Sequence, residues 1–270
     1  MTWLPRPLAC GLAIFSLCAT AMAEAPALTA AELAAALRSD EVSIPTPGEL
    51  MAALDKQGKP DWAARIRPPI TTNYSRRAQM ALNLGGLIAD GYIAVEAEDA
   101  QQVKNLGRDI LEIAKALGVP KEIRDRGKSL TEKGEEKQWD VLREELEATQ
   151  NEVKQSLAAN QDQPLIDLVT VGGWVRGTEV VSAVITEKYS EAGARLLRQP
   201  AIAESLTGRL KALPEKLRDD PVVKVVAGKL DEIARLVAFP RDGAPSAEAV
   251  KQLHELAAEL MKIISTKATK

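Results

Sequence analysis

Four arginines stand close together in this chain. Arg65, Arg67, Arg76 and Arg77 flank a proline-rich stretch and the expected start of a long apolar helix. Helix N-termini offer free N–H groups and the positive end of the macrodipole, so anions bind there readily. Asn73 and Tyr74, with Thr71, Thr72 and Ser75 beside them, could add amide and hydroxyl donors. Arg76, Arg77, Asn73 and Tyr74 are therefore the candidate ligand-binding residues, and the ligand they suit is a small anion. The plainer reading, in which the arginines pair with nearby acids and the hydroxyls cap the helix, is the preferred one.

A second group is Asp90, Arg176 and Glu179, three charges on otherwise apolar segments. Buried charges are costly unless paired. Arg176 and Glu179 are three residues apart and can meet on one helix face, and Asp90 can join them if its helix crosses theirs. The expected role is a buried ion pair that fixes the two helices in register. Beyond these groups the chemistry is sparse. His254 is the only histidine, and a lone helical histidine is expected to be structural. One histidine cannot supply the repeated Glu-x-x-His motifs of di-iron bundles. Hydrolase triads, zinc motifs and phosphate-binding glycine loops do not occur. No cofactor or metal is expected.

The elements that must hold these residues are helical. Gly85-Gly86-Leu87-Ile88-Ala89-Asp90-Gly91 and Gly172-Gly173-Trp174-Val175-Arg176-Gly177 look alike, and each lies in a long run apolar on nearly all faces. Such a helix is a buried one. Each glycine lowers helix propensity by about 1 kcal/mol relative to alanine, which a close helix crossing would offset. Ala81, Gly85 and Ala89 form a row of small residues at i, i+4, i+8 that suits such a crossing. Leucine at Gly86 or Gly173 should therefore destabilise the fold. The first glycine helix is expected from Asn73 or Ser75 to Glu96, the second from Pro164 onward. The valines of the second are poor helix formers, so a strand at 168–171 is the alternative there. Helix is preferred because the run is long and does not alternate. The two segments admit a degenerate internal duplication. Independent use of glycine for packing is preferred, because the helices that follow align poorly.

Around this pair the periodicity predicts further helices. Thr46 and Pro47 open one that Gly58 ends, and Arg67 to Ile70 must be extended because prolines drive preceding residues out of the helical region. Val103, Leu106, Ile110, Ile113 and Leu117 form a narrow stripe ending at Gly118; Trp139, Leu142, Leu146, Val153 and Leu157 form another. Ser246 is expected to cap a last helix to about Ser265. The fold class is all-α, a multi-helix bundle-like domain around two buried glycine helices.

Composition bounds the rest. The 270 residues are 46% apolar and 27% charged, which suits a globular chain. Residues 1–23 read as a signal peptide: Arg6, an apolar stretch from Leu8 to Thr20 too short to span a bilayer, then Ala21-Met22-Ala23 as a cleavage pattern. Residues 24–46 read as an arm with a short helix capped by Thr29, and residues 47–270 as one helical domain. Both cysteines, Cys10 and Cys18, fall within the signal peptide, so the mature chain would have no disulfide. Without Arg6 it carries 34 basic and 38 acidic residues, net −4, which provides no field for nucleic acid. No membrane span is expected after cleavage, since both apolar runs carry charges. The leading expectation is an exported, non-catalytic protein, periplasmic or extracellular, with a structural or protein-interaction role toward envelope proteins. A binding protein for a small anion comes second, and a hydrolase working through carboxylates alone third.

Overall fold

The computed structural model describes residues 47–56, 58–120, 129 and 132–267. The expected signal peptide, the arm at 24–46 and Thr46 lie outside the described residues. Every regular element among the described residues is helical. Those with both ends described are, in chain order, α1 (Pro47–Asp55), a 3-10 turn (Ala63–Arg65), α2 (Arg77–Glu96), α3 (Ala100–Leu117), α4 (Trp139–Ala159) and α5 (Gln163–Glu187). There follow α6 (Glu191–Ala194), a second 3-10 turn (Arg195–Leu197), α7 (Pro200–Lys211), α8 (Glu215–Arg218), α9 (Pro221–Val237) and α10 (Ala247–Ser265).

The two glycine helices α2 and α5 pack on each other at the centre. α10 covers α5, α3 covers α2, α4 touches both, and α9 bridges α7 and α10. Every residue of α2 from Ala78 to Val95 is buried. A continuous apolar core runs through all of these elements, from Leu50 to Ile264. The strand alternative at 168–171 does not form; these residues are helical, within the α5 that packs between α2 and α10. α5 is the one described helix long and apolar enough to cross a membrane, and 78% of its most apolar window lies inside the protein. Core burial thus accounts for that apolarity. The helices that follow α2 and α5 differ in length and order.

The crossing is closer than a side chain allows, and it uses the first glycine of each pair. A Cβ on Gly85 would stand 1.9 Å from the Val169 carbonyl oxygen, and one on Gly172 would stand 1.9 Å from that of Leu82. Backbone meets backbone there, which only glycine permits. The second glycines do different things. A Cβ on Gly86 would stand 2.9 Å from the Met261 methyl and 3.5 Å from the Arg67 guanidinium, while one on Gly173 would stand 3.4 Å from the Gly85 carbonyl oxygen. Gly85, from the row of small residues, makes the contact on α2, while Gly86 and Gly173, where leucine is expected to destabilise the fold, meet looser neighbours.

Local signals explain most helix ends. Asp99 accepts from Gln102 N at the start of α3, and Gly118 ends it with φ of 92°. Ser246 accepts from Ala249 N at the start of α10. α2 departs from the expected start: it begins at Arg77, without a side-chain cap. The hydroxyl- and amide-rich residues before it form a local turn instead, with Asn73 N donating to Thr71 Oγ1 at 3.2 Å.

The C-terminal end of α10 is closed by side chains from elsewhere in the chain. Gln79 Nε2 donates to the Ile264 and Thr266 carbonyls at 2.9 and 2.8 Å, and Asn83 Nδ2 to Ile264 at 2.7 Å. Tyr74 Oη donates to the Ser265 carbonyl at 2.9 Å. These bonds supply the last carbonyls of α10 with the donors a helix cannot provide.

Candidate functional site

Just beyond the glycine contact, the crossing carries a compact ionic network. Arg176 on α5 is 3% exposed. Its Nε donates to Asp90 Oδ1 on α2 at 2.7 Å, its Nη1 to Glu179 Oε2 at 2.8 Å, and its Nη2 to the Arg65 carbonyl at 2.5 Å. Asp90 takes a second guanidinium. Arg67 Nε lies 3.1 and 3.3 Å from its two oxygens, and Arg67 Nη2 also donates to Oδ2. Arg65 in turn pairs with Glu187 at 2.5 Å. Three guanidiniums thus meet three carboxylates in one chain of contacts, joining α2, α5 and the extended segment 66–70.

Burial alone would disfavour the charge on Arg176. The Asp90 and Glu179 carboxylates beside it outweigh that, and its pKa is raised. Gly86 lies next to this arrangement: a Cβ there would reach ordinary contact distance from Arg67, at 3.5 Å. His254 lies at the edge of the network, its Nδ1 3.2 Å from the Glu179 carbonyl oxygen; the Nδ1–H tautomer donates there, tying α10 to α5.

The arginines that the sequence groups together are divided. Arg65 and Arg67 turn inward to the network. Arg76 lies 3.9 Å from Asp220 at the start of α9. Arg77 pairs with Asp162 at 2.9 Å, just before α5, and donates to the Leu117 carbonyl at 3.3 Å. Tyr74 is buried against the end of α10, and burial pushes its phenol up to about 12, against a small lowering by Arg67. Asn73 is exposed. The shallow groove that Arg76 lines, with Pro221, Val225 and Lys262, has neither Arg77, Asn73 nor Tyr74 in its wall.

Beside the network lies a cleft of about 110 Å³, between the extended 66–70 segment, α2 and α3. Its polar lining is Arg67, Asp90, Gln102, Asn105, Arg108 and Asp109. Sequence reasoning missed the α3 residues. A signal existed: Asp109 falls between Leu106 and Ile110, at the edge of the apolar stripe that faces α2, so a carboxylate there was bound to be part-buried. Among the described residues, no group of three or more His, Cys, Asp or Glu is placed to hold a metal ion.

No known protein family, curated protein or solved structure matches this chain.

Proposed function

We propose that this chain is an exported, non-catalytic helical protein of the cell envelope, with a structural or protein-interaction role. The observation that carries the reading is the mutual engagement of the charges at the α2–α5 crossing. Both oxygens of Asp90 accept from guanidiniums, and all three nitrogens of Arg176 donate within the protein. Asp90 and Glu179 are both held by Arg176, so neither is free to act as an acid or base. These are the contacts of a clamp between helices. The anion-binding reading has less support, because Arg76 and Arg77 face different carboxylates. Export rests on residues 1–23 of the sequence, with a basic residue, an apolar stretch and a small-x-small cleavage pattern.

Deletion of the gene in its host, followed by complementation, tests the role. The deletion should weaken the envelope, read as sensitivity to detergent. Both the wild-type chain and a folded variant with the network neutralised, Arg67→Gln, Asp90→Asn, Arg176→Met and Glu179→Gln together, should restore it. An unaltered envelope, or failure of the folded neutral variant, contradicts the reading.

A further inference from the structure

We infer that the cleft between the 66–70 segment and α3 binds a small zwitterion of amino-acid size, with its ammonium on Asp109 and its carboxylate on Arg108. This adds a ligand to the structural role above and does not depend on it.

Charge balance selects the class. The lining holds two guanidiniums, Arg67 and Arg108, and two carboxylates, Asp90 and Asp109. A lone anion would face both acids, and a lone cation both arginines. A ligand carrying one charge of each sign meets neither penalty. Arg67 and Asp90 are already bound to each other, and Asp90 to Arg176. The pair left for a ligand is Arg108 with Asp109.

The geometry of that pair is lopsided. The Asp109 side chain is 11% exposed and that of Arg108 is 65% exposed. Arg108 donates through Nε and Nη2 at 3.2 and 3.1 Å, and both bonds go to Oδ1. Oδ2 accepts no hydrogen bond from a described side chain. Oδ2 is not among the fully buried polar atoms that lack a partner, so it faces the solvent of the cleft, which a ligand can replace. An ammonium at Oδ2 would meet it with a charge-assisted bond. Arg108, on a long exposed stem, can keep Oδ1 with one nitrogen and turn another to a ligand carboxylate. Asn105 and Gln102 lie one and two turns earlier on the same flank of α3 and offer amide donors and acceptors.

Size sets the limit. About 110 Å³ exceeds the roughly 30 Å³ share of one water and falls below the roughly 300 Å³ of drug-sized sites. A ligand of about half a dozen heavy atoms fits, its apolar part over Ile70, Leu87 and Leu106.

L-alanine is the probe, with ethylammonium and propionate as its two halves, followed by amide NMR on the labelled protein. L-alanine should shift the amides of 66–70 and 102–109 saturably. Each half should bind about tenfold more weakly or worse. Asp109→Asn and the exposed Arg108→Ala each remove one charge-assisted bond and should weaken L-alanine binding by about tenfold, with circular-dichroism melts showing both variants folded. Absence of a saturable L-alanine shift overturns the proposal. Equal binding of either half overturns it too, as does unchanged binding in the folded Arg108→Ala protein.

Discussion

A Cβ on Gly172 would stand 1.9 Å from the carbonyl oxygen of Leu82. No rotamer relieves that contact, because the obstacle is backbone. Gly172→Ala and Gly85→Ala should therefore push α2 and α5 apart and cost about 3 kcal/mol or more, at the upper end of overpacking. Gly86→Ala meets the end of a flexible methionine at 2.9 Å, and Gly173→Ala a carbonyl at 3.4 Å; both should be milder. Thermal melts of the four variants check the order. Equal midpoints across the set would contradict it.

The closed end of α10 has a pH signature. Tyr74 titrates at about 12 in the folded chain against 10.0 in the unfolded one. Between those values the unfolded phenol has given up its proton while the folded one keeps it. The unfolded state then binds fewer protons, so stability is full below pH 10 and falls as pH rises toward 12. Tyr92 is raised further, by burial first and then by Glu147 and Glu49, and extends the decline in the same direction. Urea melts from pH 8 to 12 should show a shallower alkaline decline in Tyr74→Phe than in wild type. At neutral pH that variant should be less stable by about 1 kcal/mol, for want of its bond to Ser265. An unchanged alkaline slope would contradict the assignment.

Export makes a mass prediction. Expressed in a Gram-negative host, the chain should be recovered outside the cytoplasm beginning at Glu24, read by intact-mass spectrometry of the fractionated cells. A chain retaining Met1 through Ala23, or found only in the cytoplasm, would contradict the signal-peptide reading.

Much of the architecture is legible in the sequence because periodicity and caps are local. The stripes at 103–117 and 142–157, the stop at Gly118 and the start at Ser246 each follow from a few neighbouring residues. The glycine pairs announce a close crossing, and the row of Ala81, Gly85 and Ala89 picks out Gly85 on α2; on α5 no such row picks out Gly172, because the rotation of a helix against its partner is a property of the pair. The start of α2 escapes for a related reason. Thr71 and Asn73 have cap chemistry, but their bond to each other makes a turn. At the candidate site, Arg176, Asp90 and Glu179 are visible as charges in apolar runs. That Arg67 joins them while Arg76 and Arg77 point elsewhere depends on the path of the proline segment over α2, which no spacing encodes. Asp109 is legible only from its place beside the apolar stripe of α3, between Leu106 and Ile110, because its residue type is ordinary for an amphipathic helix.

At the crossing the buried charges satisfy one another, Arg176 holding both Asp90 and Glu179, so the loss of one strands its partners. The most direct test compares Arg176→Ala with the fourfold neutral replacement at Arg67, Asp90, Arg176 and Glu179, by chemical denaturation of the purified proteins. Removing Arg176 alone strands Glu179 and leaves Asp90 with one partner, and should cost about 3–5 kcal/mol. Removing all four charges strands no charge and leaves only the Arg65 carbonyl without its donor, and should recover at least half of that stability. A neutral Arg176→Ala variant, or a fourfold variant no more stable than the single one, would contradict the account.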